Sequence, residues 1–165
     1  MEIGLLWQAW PVAGPWQIAA LLGGTNSRIW RAEAADGTAY VLRLIHAVAW
    51  PRACAEFTLL RALVAQGVPF QVPLPIPASD GADGVSLATE TGATDYVVLL
   101  PLLPGEHPAH GDLALAAGAA RGLAALDGAL ATLSPTLALP AQPRFGDLAG
   151  WQAGANESDP LRDLD

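Results

Sequence analysis

The stretch that decides the fold is GGTNSRIWRAEAADGTAYVLRLI, residues 23–45. It opens with a turn of small and polar residues at 23–27, where glycine supplies the backbone freedom that a tight turn requires. An alternating segment at 28–34, an Asp-Gly turn signal at 35–37 and a hydrophobic segment at 38–45 follow, which predicts a β-hairpin. With a strand over 16–22 before the turn, the pattern predicts a three-stranded antiparallel meander. Its last strand carries a single cation, Arg43, among aliphatic residues.

The composition limits the classes of function. The chain has 165 residues, of which 52% are hydrophobic and 15% charged, so it can bury a core. Sixteen acidic residues against eight basic ones give a net charge of −8, which predicts neither nucleic acid nor an anionic membrane as a main partner. Glu2 stands where a signal peptide carries positive charge, and no apolar run reaches 18 residues, so no membrane span is expected. The single cysteine, Cys54, fits a reducing cytoplasm.

A helix is predicted over residues 51–66. Pro51 suits a first helical position and Gly67 suits the residue after a helix end. Phe57, Leu60, Leu63 and Val64 recur at helical spacing and form one apolar stripe. The alternating prolines after this helix exclude a second helix and predict an edge strand or an extended connection around 72–78.

The remaining elements follow the same kind of pattern. Strands are predicted at 86–91 and 95–100, joined through Gly92, and a Pro-Gly connector follows at 101–112. Residues 113–133 are rich in alanine and predict a long helix with Asp112 as its N-cap. No convincing periodic element is found in residues 134–165.

This order of elements resembles the N-terminal lobe of the aminoglycoside phosphotransferase family, protein-kinase-like small-molecule kinases that include choline, homoserine and fructosamine kinases. The sequence segments that carry the resemblance are residues 23–45, EFTLLRAL (56–63), GVPFQVPLPIPASDG (67–81) and VVLLPLLPGE (97–106). The resemblance implies an α+β fold with an antiparallel five-stranded sheet and one packed helix. It implies a nucleotide-binding lobe over 1–100, a hinge-like connector over 101–112 and the truncated start of a helical C-lobe over 113–165.

The resemblance also implies a site for ATP with Mg²⁺. The phosphates of ATP need fixed donors and a cation. The turn would lay its backbone N–H groups over them, Arg43 would hold the α- and β-phosphates, and Glu56 would orient Arg43. The carbonyl of Pro101 and the N–H of Leu103 would hold the adenine edge. The turn residues in question are Gly23, Gly24, Thr25, Asn26 and Ser27.

The catalytic loop of the family, H-G-D-x-x-x-x-N with a later metal-binding Asp, has no counterpart in the sequence. The text HGD occurs at 110–112, but the position five residues after Asp112 is Ala117, and the motif directly follows the connector and opens a helix. We interpret it as a coincidence, with His110 on the surface, and predict no catalytic or metal-binding residue. Asp127 is a further departure, since many relatives carry histidine there.

The expected function is therefore the ATP-binding lobe of a small-molecule phosphotransferase, inactive alone, whose acceptor is chosen by residues outside this sequence. The apolar face of helix 113–133 would be exposed, which predicts self-association. One alternative is a stand-alone nucleotide-binding or pseudokinase-like module that acts through a partner. Another is a plain α+β domain in which Arg43 and Glu56 are ordinary surface charges. Mg²⁺-dependent ATP binding that Arg43→Ala abolishes would separate the first two readings from the third.

Overall fold

A computed structural model describes residues 3–21, 28–89, 92–105 and 112–133. Its centre is a five-stranded antiparallel sheet with the strand order β1-β2-β3-β5-β4. Two α-helices and two short 3₁₀ segments, Ile3–Ala9 and Ala47–Ala49, complete the described elements. The predicted α+β fold with one helix packed on a five-stranded sheet is confirmed. The bounds are β1 Gln17–Ala20, β2 Ile29–Glu33, β3 Ala39–Ile45, α1 Trp50–Ala65, β4 Val85–Ala88, β5 Thr94–Pro101 and α2 Leu113–Thr132.

The β2–β3 hairpin forms where the Asp-Gly signal predicts it. The N–H of Ala34 donates to the carbonyl of Thr38 at 2.9 Å, and Gly37 has a φ of 83°, which favours glycine. The Asp36 carboxylate accepts the Thr38 N–H at 2.9 Å, and this hydrogen bond lowers the pKa of Asp36. The turn thereby sets the β2–β3 register that places Arg43 opposite Ile29.

Helix α1 packs on one face of the sheet through a small apolar cluster. Its members are buried residues of β3, β5 and α1: Ile45, Ala53, Phe57, Val98 and Leu100. Gly67, with a φ of 72°, directly follows the C-cap, as predicted. Val64 departs from the predicted stripe, since it is 46% exposed while Leu63 is buried. The docking of α1 on β3 brings Glu56 close to Arg43.

The opposite face of the sheet is covered by two segments that carry no regular pattern. Trp10 and Trp16 from the N-terminal segment lie in a cluster with Leu42 and Leu99 of the sheet. The Trp10 indole N–H donates to the carbonyl of Ile76 at 3.0 Å, and the Ile76 N–H donates to the carbonyl of Leu99 at 2.8 Å. Of the two predicted forms for 72–78, the extended connection is the one found.

Helix α2 begins at the predicted cap, because the Asp112 carboxylate accepts the Leu115 N–H at 2.9 Å. None of its residues is buried, and Leu113 is 82% and Leu123 60% exposed. Within the described residues α2 is the one helix that is long and apolar enough to cross a membrane, by length and composition only. Arg121 and Asp127 lie within it. His110 and residues 134–165 lie outside the described residues.

Candidate functional site

The site is centred on an ion pair between the sheet and α1. Arg43 alternates along β3 with Leu42 and Leu44, which pack on the opposite face of the sheet, so its side chain lies on the α1 face. There Arg43 Nη1 lies 3.3 Å from Glu56 Oε1 and 3.5 Å from Oε2. The two side chains are 29% and 46% exposed. Pairs this exposed stabilise a fold by only about 0–1 kcal/mol, so the arrangement contributes little to stability and fixes where a cation lies.

The predicted phosphate-binding turn joins the sheet beside this pair. Arg43 lies opposite Ile29, the first residue of β2, and the N–H of Leu44 donates to the carbonyl of Arg28 at 2.9 Å. Across the turn, the N–H of Leu21 donates to the carbonyl of Ile29 at 3.1 Å. Arg28, after the turn, therefore lies on the strand next to Arg43, and Leu21, before it, lies one strand further away. The turn residues themselves, Gly23, Gly24, Thr25, Asn26 and Ser27, lie outside the described residues.

The predicted base-binding pair lies towards the other end of β3. Pro101 is opposite Tyr40, and the N–H of Leu102 donates to the carbonyl of Ala39 at 3.3 Å. This bond makes Tyr40 and Pro101 a non-hydrogen-bonded pair, in which the Pro101 carbonyl points away from β3. At such a position the ladder requires no N–H, so a proline can be accommodated there. Leu103 follows, half-buried, and its N–H donates to none of the residues that the structure describes.

The two halves of the predicted site are separated by a length of strand that suits a nucleotide. Arg43 lies three residues along β3 from Tyr40, which corresponds to about 10 Å. Val41 lies between them, half-buried on the α1 face and opposite Leu100. This apolar surface between a backbone hydrogen-bonding edge and a cation matches the order of base, sugar and phosphates in an extended nucleotide.

A second arginine lies beside the ion pair. A cleft of about 220 Å³ between the end of β3 and the start of α1 is lined by Arg43, Ile45, His46, Ala49, Arg52, Ala53 and Glu56. Arg52 precedes Glu56 by one helical turn and is exposed. The i,i+4 spacing of Arg52 and Glu56 is visible in the sequence, but it does not show that both residues line the same cleft as Arg43. Sequence reasoning therefore missed Arg52.

Two other acidic side chains of the described residues, Asp95 and Asp112, hold local structure. The described ranges contain no group of three or more His, Cys, Asp or Glu side chains able to hold a metal ion. His46 Nδ1 lies 3.0 Å from Asp95 Oδ2, and the other oxygen of Asp95 accepts the Ala47 N–H at 3.3 Å. Asp95 is thus engaged in holding the β3–α1 connection, and Asp112 in capping α2.

Comparison with known proteins identifies a matching family and two solved structures of similar fold. Residues 17–165 match the phosphotransferase enzyme family. A solved structure of the amicoumacin kinase hAmiN in complex with AMP-PNP, Ca²⁺ and Ami matches with a TM-score of 0.53 and 18% identity over 63% of this chain and 31% of that one. A microcompartment-associated aminopropanol kinase matches with a TM-score of 0.51 and 20% identity over 62% of this chain and 31% of that one. No curated protein matches. At such identities the two structures show a shared fold, and the matched part of this chain spans less than a third of either kinase.

Proposed function

The chain belongs to the phosphotransferase enzyme family, and from this premise we propose that it supplies the nucleotide-binding lobe of a small-molecule kinase. Such an enzyme transfers a phosphoryl group from ATP to a hydroxyl group of a small acceptor. The observation that carries the proposal is the contact between Arg43 on β3 and Glu56 on α1, next to Arg28, which directly follows the 23–27 turn. The family match makes a phosphate ligand the natural partner for that cation.

Each residue has a definite part in holding the nucleotide. Arg43 donates charge-assisted hydrogen bonds to phosphate oxygens, and its planar guanidinium suits two oxygens at once. Glu56 accepts from Arg43 Nη1 and so limits where the guanidinium points. Backbone N–H groups of Gly23, Gly24, Thr25, Asn26 and Ser27 cover the phosphates, while the Pro101 carbonyl and the Leu103 N–H hold the base edge.

A divalent cation belongs to this proposal through the nucleotide. Mg²⁺ bound to ATP neutralises part of the phosphate charge, and the similar kinase hAmiN was solved with AMP-PNP and Ca²⁺. The candidate residues of this chain contact the nucleotide and not the metal. With a net charge of −8, the chain repels a free anion at long range, so a metal-neutralised nucleotide is the form that it should bind best.

Transfer itself requires groups that we do not assign within residues 1–165. We propose that residues 1–100 form the nucleotide lobe, 101–112 a hinge-like connector and 113–165 the start of a helical lobe, and that this chain alone does not catalyse. We assign no residue of this chain to the acceptor. We place the protein in the cytoplasm, because inserting Arg121 and Asp127 of α2 into a bilayer would be costly.

The proposal is tested by titrating the folded chain with ATP and Mg²⁺ in a calorimeter. We expect saturable binding that Arg43→Gln weakens about tenfold or more, since a charge-assisted hydrogen bond contributes roughly 1.5–3 kcal/mol. Arg121→Gln is the matched control, because it removes the same charge from an exposed position on α2. A folded chain that binds no ATP at millimolar concentration would contradict the proposal.

A second candidate is a stand-alone nucleotide-binding module that acts through a partner without catalysis. The exposed leucines of α2, Leu113 and Leu123 among them, favour this candidate because such a surface suits a contact with another protein. A specific, stable complex with a partner, together with ATP binding, would distinguish it from a lobe that serves only as part of a larger kinase.

A further inference from the structure

We infer that Arg52 is a second phosphate-binding cation of this site, and that it contacts the terminal phosphate of a nucleoside triphosphate. The inference rests on the proposed function, because it takes Arg43 to hold the inner phosphates. It goes further by assigning a residue that discriminates triphosphates from monophosphates. Its basis is the cleft between the end of β3 and the start of α1, which Arg43 and Arg52 both line.

Among the described residues, the carboxylate of Glu56 contacts Arg43 and forms no ion pair with Arg52. Residues four apart on a helix are neighbours on one face, so Arg52 lies beside Glu56 on α1. The distances from Arg43 Nη1 to the Glu56 oxygens, 3.3 and 3.5 Å, exceed the roughly 2.7–2.9 Å of a strong charge-assisted hydrogen bond. Glu56 therefore does not saturate Arg43. Two arginines face one carboxylate across the cleft, which leaves a net positive charge for an anion.

Arg52 itself lies in an electrostatically unfavourable position that a bound anion would stabilise. It lies in the first turn of α1, which contains no acidic residue, and the helix dipole disfavours a cation there. Within the described ranges its side chain forms no ion pair and no hydrogen bond, whereas Arg31 contacts Glu33 and Arg61 contacts Asp83. The N–H groups of the Arg52 guanidinium are therefore available to bind an anion in the cleft.

The order of residues along β3 indicates which phosphate Arg52 would meet. The predicted base-binding end is at Tyr40 and Pro101, and Arg43 lies about 10 Å further along the strand. The cleft continues in the same direction, past Ile45 and His46 to α1. A nucleotide whose inner phosphates contact Arg43 therefore extends its outermost phosphate towards Arg52. A monophosphate is too short to do so.

The experiment compares ATP, ADP and AMP, each with Mg²⁺, on the 165-residue chain by calorimetry. Arg52→Gln removes the charge while keeping good helix propensity, and Arg52→Lys keeps the charge. We expect Arg52→Gln to weaken ATP binding about fivefold to tenfold and to change AMP binding less than about twofold, with partial recovery in Arg52→Lys. Arg43→Gln weakens all three ligands, and Arg121→Gln none.

The possible outcomes separate this inference from the proposed function. If ATP binds and Arg43→Gln weakens it, but Arg52→Gln leaves the ratio of ATP to AMP affinity unchanged, Arg52 has no role at the terminal phosphate and the proposed function stands. If the unmutated chain binds none of the three nucleotides, the proposed function fails and this inference with it. Circular dichroism of each variant shows whether a loss of affinity reflects unfolding.

Discussion

Replacing Phe57 with alanine tests the packing that holds α1, and with it Glu56, against the sheet. Phe57 is 1% exposed and lies in the cluster formed with Ile45, Val98 and Leu100. Its ring also contacts Trp50 edge to face, with centroids 6.3 Å apart. Truncation of a buried phenylalanine to alanine costs about 3–5 kcal/mol. Because a domain is stable by only about 5–15 kcal/mol, this one substitution should remove roughly a fifth or more of the free energy of unfolding.

Urea denaturation followed by circular dichroism at 222 nm measures this loss. The matched control is Val64→Ala on the same helix, where the side chain is 46% exposed and the expected change is below about 0.5 kcal/mol. If Phe57→Ala does not fold, Phe57→Leu should show a smaller loss of roughly 1–2 kcal/mol. A folded Phe57→Ala chain whose free energy of unfolding lies within about 1 kcal/mol of the unmutated value would refute the packing of α1 described above.

Two further predictions concern Cys54 and α2. Burial raises the pKa of the Cys54 thiol, and the thiolate is the reactive form. Alkylation of Cys54 by iodoacetamide at pH 8 should therefore be slower than that of an unfolded peptide thiol, and it should accelerate in urea. Equal alkylation rates in the folded and unfolded states would contradict this prediction. The exposed apolar surface of α2 should cause self-association that increases with concentration in sedimentation velocity, and Leu123→Lys, at a position 60% exposed, should reduce it. A chain that sediments as a monomer at every concentration would exclude self-association through α2.

The local features of the fold could be predicted because each depends on residues close in sequence. The β2–β3 hairpin is specified by Asp36 and Gly37, and α1 is bounded by Pro51 and Gly67. The pairing of β3 with β5 joins residues more than fifty positions apart. No local pattern specifies that pairing, and only the resemblance to a known lobe implied it.

The cover on the second face of the sheet could not be predicted. Trp10 and Ile76 contact each other across 66 residues, and both lie in segments without a helical or strand period. Prolines flank Ile76 at 75 and 77 and have no N–H to donate, so the connection forms a single hydrogen bond to β5 and no ladder. The sequence pattern predicts that such a segment is extended, but it does not indicate which face of the sheet the segment covers.

The candidate site, like the fold, could be predicted only in part. Arg43 and Glu56 were predicted from the resemblance, and the structure brings their side chains within 3.3 Å. Arg52 was missed because a basic residue four positions before an acidic one is common on exposed helices. Whether Arg52 lies near Arg43 depends on how α1 packs against β3, and the local sequence pattern does not specify this tertiary contact. Pro101 and Leu103 remain predictions about backbone groups, for which side-chain identity carries little information.

The most direct measurement of the central claim is a titration of ¹⁵N-labelled chain with ATP and Mg²⁺, followed by amide chemical shifts. If the nucleotide lies along β3, the shifted amides should include Leu103 at one end of the site and Arg43 and Glu56 at the other, with Val41 between them. Shifts confined to the sheet face that Trp10 and Trp16 cover, or no shifts at saturating ATP, would contradict a nucleotide site between the connector and the Arg43–Glu56 pair.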